Sequence, residues 1–245
     1  YNCKCLKRKT SNSDINQSTT AEVFDTLDQS ASSTERIVAK YQKHIIGSVL
    51  VIVIMVLGFL GYSSLVLEPN SDEANNELFT AQNYFSLALE DNENSDSLFL
   101  MSLNGGEGKY GFLDISTQYN GTKAANIANY YAGVSYLKMK EYQKAIEYLS
   151  KFNSDDELLG PTALGAIGDA FADIDQTEDA LEYYEKAAYN KDNEFTTPLF
   201  LFKAGRTAMD LGQFSKAEKI FTQIKENYST TDSGKDIDKY IYSAK

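Results

Sequence analysis

"NIANYYAGVSYLKMKEYQKAIEYLSKF" (126–152) returns twice in the chain, as "PTALGAIGDAFADIDQTEDALEYYEKA" (161–187) and "PLFLFKAGRTAMDLGQFSKAEKIFTQI" (198–224), and the segments align without internal gaps. Each carries a glycine behind a small or apolar residue: Ala132-Gly133, Ile167-Gly168 and Ala204-Gly205. Twelve residues after each glycine stands an alanine (Ala145, Ala180, Ala217), and four further on a large residue (Leu149, Tyr184, Phe221). Two antiparallel helices approach closely only where the residues at their crossing are small, which this glycine and alanine supply. Tyr136, Phe171 and the large residues then fill the space between neighbouring hairpins.

The segments start 35 and 37 residues apart, close to the 34-residue period of the tetratricopeptide repeat, a helix–turn–helix unit. A single hairpin cannot bury its apolar face alone, so the three repeats, placed at 126–235, must stack into an all-α solenoid. "DIDKYIYSAK" (236–245) supplies a capping helix at one end. Residues 68–125 supply a degenerate, repeat-like helical part at the other. Within them Ala74, Leu78, Ala81, Phe85 and Ala88 or Leu89 recur at helical spacing, which predicts an amphipathic helix over 71–90.

Ahead of this lies "IIGSVLVIVIMVLGFLGYSSLVL" (45–67), 23 residues without a charge. At about 1.5 Å per helical residue it spans roughly 35 Å, enough for a hydrocarbon core of about 30 Å. The sequence therefore predicts a single transmembrane helix, an uncleaved anchor closed by Pro69 rather than a signal peptide, since 44 residues precede it. Residues 1–44 carry seven Lys/Arg and five Asp/Glu; residues 68–245 carry 16 and 30. Lys40 and Lys43 flank the helix on one side and Glu68, Asp72, Glu73 and Glu77 on the other, which orients the N-terminus to the cytoplasm by the positive-inside rule. Residues 10–34 are polar and read as a disordered tail with at most a short apolar turn at Val23, Phe24 and Leu27. Gly58 and Gly61 are three apart, so the four-residue spacing of a helix-dimer motif is absent.

Several chemistries are excluded. A domain with 30 acids against 16 bases lacks the clustered cations that nucleic acid requires. Cys3 and Cys5 both lie in the tail, so no disulfide supports the repeats, and without further ligands they make no zinc site. The only histidine is His44, at the edge of the apolar run, which removes Cys-His and Ser-His catalysis from the repeat region. The acidic run 91–96 has Asp96 where a calcium loop needs glycine. "LNGGEGKY" (103–110) has Leu103 and Tyr110 where a phosphate loop needs glycine and a small hydroxyl; it reads as a turn into a helix over 109–119. No enzyme activity, cofactor, metal or small-molecule substrate is expected.

Protein binding remains. The first helix of each repeat lines the inner face of a solenoid, and the register puts Tyr130, Val134 and Leu137, then Asp169, Ala172 and Asp173, then Phe202, Arg206 and Met209 on that face. These side chains either contact a partner, Met209 adapting to varied apolar shapes and Arg206 holding a carboxylate, or pack against helix 71–90 or the C-terminal helix. The basic clamp of chaperone-tail receptors is missing, its positions carrying Tyr130, Val134 and Asp169.

The layout, with "SLNGGEGKYGFLDI" (102–115), "GTKAANIANYYAGVSYL" (121–137) and "GDAFADIDQTEDALEYYEKA" (168–187), resembles the YfgM-like ancillary subunit of the SecYEG translocon in its Bacteroidetes form. The resemblance spans about residues 20–245. It implies a single-pass protein of the bacterial inner membrane with a periplasmic repeat domain, partnered by SecYEG, exported client proteins and periplasmic chaperones. The same repeats also serve as assembly factors or accessory subunits of other envelope complexes, among them cytochrome c maturation, outer-membrane insertion and secretion machinery.

Overall fold

The computed structural model of the protein describes residues 40–63, 68–91 and 93–245. The polar tail with Cys3, Cys5 and the turn at Val23, the end of the apolar run at 64–67, and Asn92 lie outside the described residues. The chain divides into one unit through Ser63 and another from Ser64. In the first, helix α1 (Lys40–Tyr62) is long and apolar enough to cross a membrane, and none of its most apolar stretch is buried. It begins five residues before the uncharged run, taking in Lys40 and Lys43.

The second unit comprises α2 (Glu68–Glu90), α3 (Ser95–Asn104), α4 (Phe112–Gln118), α5 (Lys123–Lys138), α6 (Tyr142–Lys151), α7 (Leu159–Asp173), α8 (Thr177–Asn190), α9 (Thr196–Asp210), α10 (Phe214–Asn227) and α11 (Ile237–Ser243). No strand occurs among its described residues. Pro69 does not close a helix: it lies in the first turn of α2, where its missing N–H costs nothing because that donor has no intrahelical partner. The N-terminal part holds three helices rather than a pair. α4 starts at Phe112, not at 109, because the glycine loop folds back on α3; a Cβ on Gly111 would lie 2.3 Å from the Leu103 carbonyl oxygen. Lys109, in the phosphate-loop-like stretch, pairs with Glu77 at 3.0 Å, and Glu77 also accepts from the Tyr110 N–H.

The amphipathic stripe of α2 is buried at Ala74, Leu78, Ala81, Phe85 and Ala88, with Leu89 turned outward. Phe85 meets Phe99 of α3 edge-on at 5.7 Å and Tyr131 of α5 at 5.0 Å, while Phe112 stacks on Tyr131 at 5.2 Å. An aromatic cluster therefore joins α2, α3 and α4 to the first repeat.

From α5 onward the helices form hairpins α5–α6, α7–α8 and α9–α10, matching the three sequence segments. The glycines admit the large residue of the second helix of their own hairpin. A Cβ on Gly133 would come 2.5 Å from Leu149 Cγ, one on Gly168 2.7 Å from the Tyr184 ring, and one on Gly205 2.4 Å from the Phe221 ring. Those large residues also reach the adjoining hairpin or cap: Leu149 clusters with Ala163 and Ile167, Tyr184 with Phe200 and Leu201, and Phe221 with Ile237. A fourth close approach runs between repeats, where the Phe200 ring occupies the space a Cβ on Gly165 would take, 1.9 Å away.

The turns inside the hairpins repeat as closely as the helices. Lys140, Asp175 and Gly212 occupy the same register position with φ of 62°, 59° and 70°. The next N–H reaches back to a carbonyl five residues earlier: Glu141 to Tyr136 at 2.9 Å, Gln176 to Phe171 at 2.9 Å and Gln213 to Ala208 at 2.8 Å. This is the six-residue closure that ends a helix on a left-handed residue.

Two outcomes test these packings by thermal unfolding. Gly133→Ala, Gly168→Ala and Gly205→Ala each press a methyl into an occupied space and are expected to cost about 1–3 kcal/mol, a fall of several degrees in Tm. Lys140→Gly and Asp175→Gly relieve a left-handed side chain and should stabilise by about 0.5–1 kcal/mol, the difference between that strain and the extra chain entropy of glycine. No rise in Tm for either glycine variant would contradict the turn geometry.

Candidate protein-interaction surface

The first helices α5, α7 and α9 carry the inner-face positions, and the structure divides these residues into three kinds. Tyr130, Val134, Leu137, Phe202 and Met209 are half-buried. Tyr130 packs on Phe152 at 5.1 Å, and burial raises its hydroxyl above the ordinary tyrosine value. Val134 and Leu137 join the core of the first repeat, Val134 also meeting the cluster of Leu149 and Ile167. Phe202 meets Tyr240 of the C-terminal helix edge-on at 4.8 Å, and Met209 packs in the same cluster. These five side chains thus spend much of their surface on internal packing.

Asp169 belongs to the second kind. Its carboxylate receives Lys203 Nζ of the next repeat at 2.6 and 2.8 Å and the Tyr184 hydroxyl at 2.6 Å. Lys203 in turn lies 5.5 Å from the centre of the Tyr184 ring. One acid thereby ties α7, α8 and α9 together, and its charge is matched within the fold. Lys203 follows Phe202 in sequence, and register alone gave no sign that it would turn toward α7.

The third kind remains open. Ala172, Asp173 and Arg206 are exposed. Arg206 is one turn along α9 from Phe202, so a guanidinium and a partly open aromatic face stand side by side on α9. On α7 the exposed pair is Ala172-Asp173, with Asp173 bearing on the Tyr142 hydroxyl of α6, which burial and this acid hold above its usual value. The inner face is accordingly mixed: half-open apolar side chains on α5 and α9, an acid on α7, a lone guanidinium on α9.

Three tyrosine hydroxyls are strongly perturbed. Burial, then Asp169, drives Tyr184 far above the ordinary value; burial, then Glu73, pushes Tyr119 up to about 12, and burial, then Asp192, does the same for Tyr228. The folded protein keeps these protons while the unfolded chain, at 10.0, releases them. Stability from them is complete below that value and is lost as pH rises through the folded values.

The structure brings no group of three or more His, Cys, Asp or Glu into metal-binding range among the described residues. A sequence family described as tetratricopeptide repeat matches residues 128–155 and 200–231, and a second of the same description matches 161–193. No curated protein matches the sequence significantly. Among solved structures, the nearly identical TPR-like repeats of a Podosopora anserina kinesin light chain share the fold, with TM-score 0.50 and 15% identity over 72% of this chain and 86% of that one.

Removing the inter-repeat clamp should be visible in two ways. Asp169→Ala leaves Lys203 and the Tyr184 hydroxyl without their acceptor and is expected to cost about 1 kcal/mol, the discounted worth of a partly exposed charged pair. Tyr184→Phe should reduce the loss of stability above pH 10.0, read as the pH dependence of the urea midpoint; an unchanged alkaline slope would mean that Tyr184 is not the group responsible. Each of the three stacked hairpins thus coincides with a match to a tetratricopeptide-repeat model, at 128–155, 161–193 and 200–231, and the solved structure shares the all-helical fold.

Proposed function

We propose that the protein is a non-enzymatic, membrane-anchored scaffold of the bacterial inner membrane whose repeat domain works in the periplasm as an ancillary part of the SecYEG translocon. The observation that carries the reading is the union, in one chain, of an apolar 23-residue helix and a run of tetratricopeptide repeats. The uncharged run supports a membrane span, and none of the apolar stretch of α1 is buried among the described residues. The charge contrast, seven Lys/Arg against five Asp/Glu before it and 16 against 30 after it, supports a cytoplasmic N-terminus.

In this reading the inner face takes exported client segments or the flexible parts of periplasmic chaperones. Phe202 and Met209 supply apolar contact at one end of the face, and Tyr130, Val134 and Leu137 at the other. Asp173 and Arg206 recognise charges of opposite sign, while Asp169 holds the repeats in the geometry that presents them. The anchor confines the face near the channel exit, which raises the local concentration of the face relative to emerging clients in the way a short tether does.

Two experiments test this. In spheroplasts a membrane-impermeant maleimide is expected to leave Cys3 and Cys5 unlabelled until the membrane is opened; labelling before that would reverse the topology. Photo-crosslinking residues in place of Asp173 or Arg206 in the full chain, in native membranes, should capture SecYEG subunits, clients in transit or periplasmic chaperones. Capture of another envelope complex with none of these would keep the anchored scaffold and discard the translocon role.

A further inference from the structure

The loops that join one repeat to the next form an edge that the inner-face reading leaves unused. Leu158 and Phe195 occupy equivalent positions, three residues before the repeat starts at Pro161 and Pro198, and are 49% and 77% exposed. Each follows an acidic run, Asp155-Asp156-Glu157 and Asp192-Asn193-Glu194. The loops are built alike: Asp156 Oδ1 accepts from the N–H groups of Leu158 and Leu159 at 2.9 and 2.8 Å, and Asn193 Oδ1 from those of Phe195 and Thr196 at 2.8 and 2.7 Å. They are also joined, since Asn193 Nδ2 donates to the Glu157 carbonyl at 3.0 Å. The apolar residues are therefore held outward on a continuous, ordered edge.

Two cavities lie on this edge and share Glu194. One, of about 660 Å³, opens between the α8–α9 loop and α10, beside Tyr189 and Tyr228. The other, of about 430 Å³, is walled by Phe195, Pro198, Leu199 and residues 230–233. No Lys or Arg lines either one, whereas Asp192, Glu194 and Asp232 do. Among the loops themselves the basic residues are Lys191 and Lys235, and Lys235 pairs with Asp232 at 2.6 Å.

We propose that this loop edge docks a basic, apolar-rich segment of a partner protein, whose large side chains enter the cavity walled by Phe195 and Leu199 and the neighbouring one beside Tyr189 and Tyr228, while its Lys or Arg residues face Asp155, Glu157 and Glu194. The charge pattern selects this occupant. A second copy meeting the same edge would bring like charges together, and an anionic lipid surface would be repelled by the same acids. The apolar residues supply contact area, and the carboxylates supply steering and specificity that weaken as salt screens them.

The full chain in zwitterionic nanodiscs, carrying a photo-crosslinking residue in place of Phe195 or Leu199, tests the assignment. The probe is a biotinylated peptide alternating Lys with Leu; its control has Glu for each Lys. A crosslinking residue in place of Glu178, exposed at the other end of α8, reports non-specific attraction. Adducts with the basic probe are expected from the first two positions, strongly above position 178, with little from the acidic control. The double variant Glu157→Lys/Glu194→Lys and, separately, Leu158→Ser should each lower the yield about tenfold, a loss of about 1.4 kcal/mol, with unchanged melting. Equal adducts from position 178, equal capture of both peptides, or yields unmoved by the variants would overturn the proposal, and so would adducts to lipid alone.

Discussion

The solenoid depends on a single steric arrangement made three times: a glycine on the first helix of a hairpin lets a large side chain of the second helix lie against bare backbone. Leu149, Tyr184 and Phe221 are each almost completely buried there, and burying such a side chain stabilises by about 1.5–3 kcal/mol. The same side chains also face the adjoining hairpin or cap, so one residue per repeat serves both the hairpin and its stacking. Stability in a stacked array is the sum of unit and interface contributions, and here both draw on the same atoms. This accounts for the strict twelve-plus-four spacing across segments that otherwise share little sequence.

What the repeats do not supply is closure. At the N-terminal end the aromatic group Phe85, Phe99, Phe112 and Tyr131 covers the first hairpin with helices that follow no repeat spacing. At the other end Tyr240 of a seven-residue helix covers Phe202 and Phe221. Each cap uses aromatic rings, which bury much area per residue and tolerate the tilted contacts that arise where two unlike elements meet. The C-terminal cap uses surface the inner face would otherwise present, since Phe202 is half-buried against Tyr240, whereas Tyr130 is covered from within its own hairpin by Phe152.

The hairpins were legible in the sequence because their packing rests on residue size at fixed spacing, and size is written directly in residue type. The left-handed turn was half legible: Gly212 announces it, while Lys140 and Asp175 at the same position give no sign of their own, being carried into the strained region by the closure around them. The fate of Asp169 was not legible, because its partner Lys203 lies 34 residues away and is reached only through the stacking of one hairpin on the next. The start of α4 was misplaced for a similar reason. The close approach of Gly111 to Leu103 is a backbone contact across a loop, and no periodicity records it.

Asp169 and the loop-edge acids differ in how far the fold itself uses their charge. Asp169 is matched by a cation and a hydroxyl, and the arrangement fixes the angle between repeats; a partner that competed for it would have to break three contacts at once. Asp156 is also engaged, held below the usual carboxylate range by the N–H groups of Leu158 and Leu159, and is better suited to shaping its loop than to meeting a partner. Glu157 and Glu194, by contrast, flank the caps of their loops, and each stands directly before an exposed apolar residue. Replacing a matched acid therefore alters how the repeats stack, whereas replacing a flanking acid alters only the field at the edge. By that division, an acid on the loop edge can be replaced without disturbing the glycine contacts that hold the solenoid together.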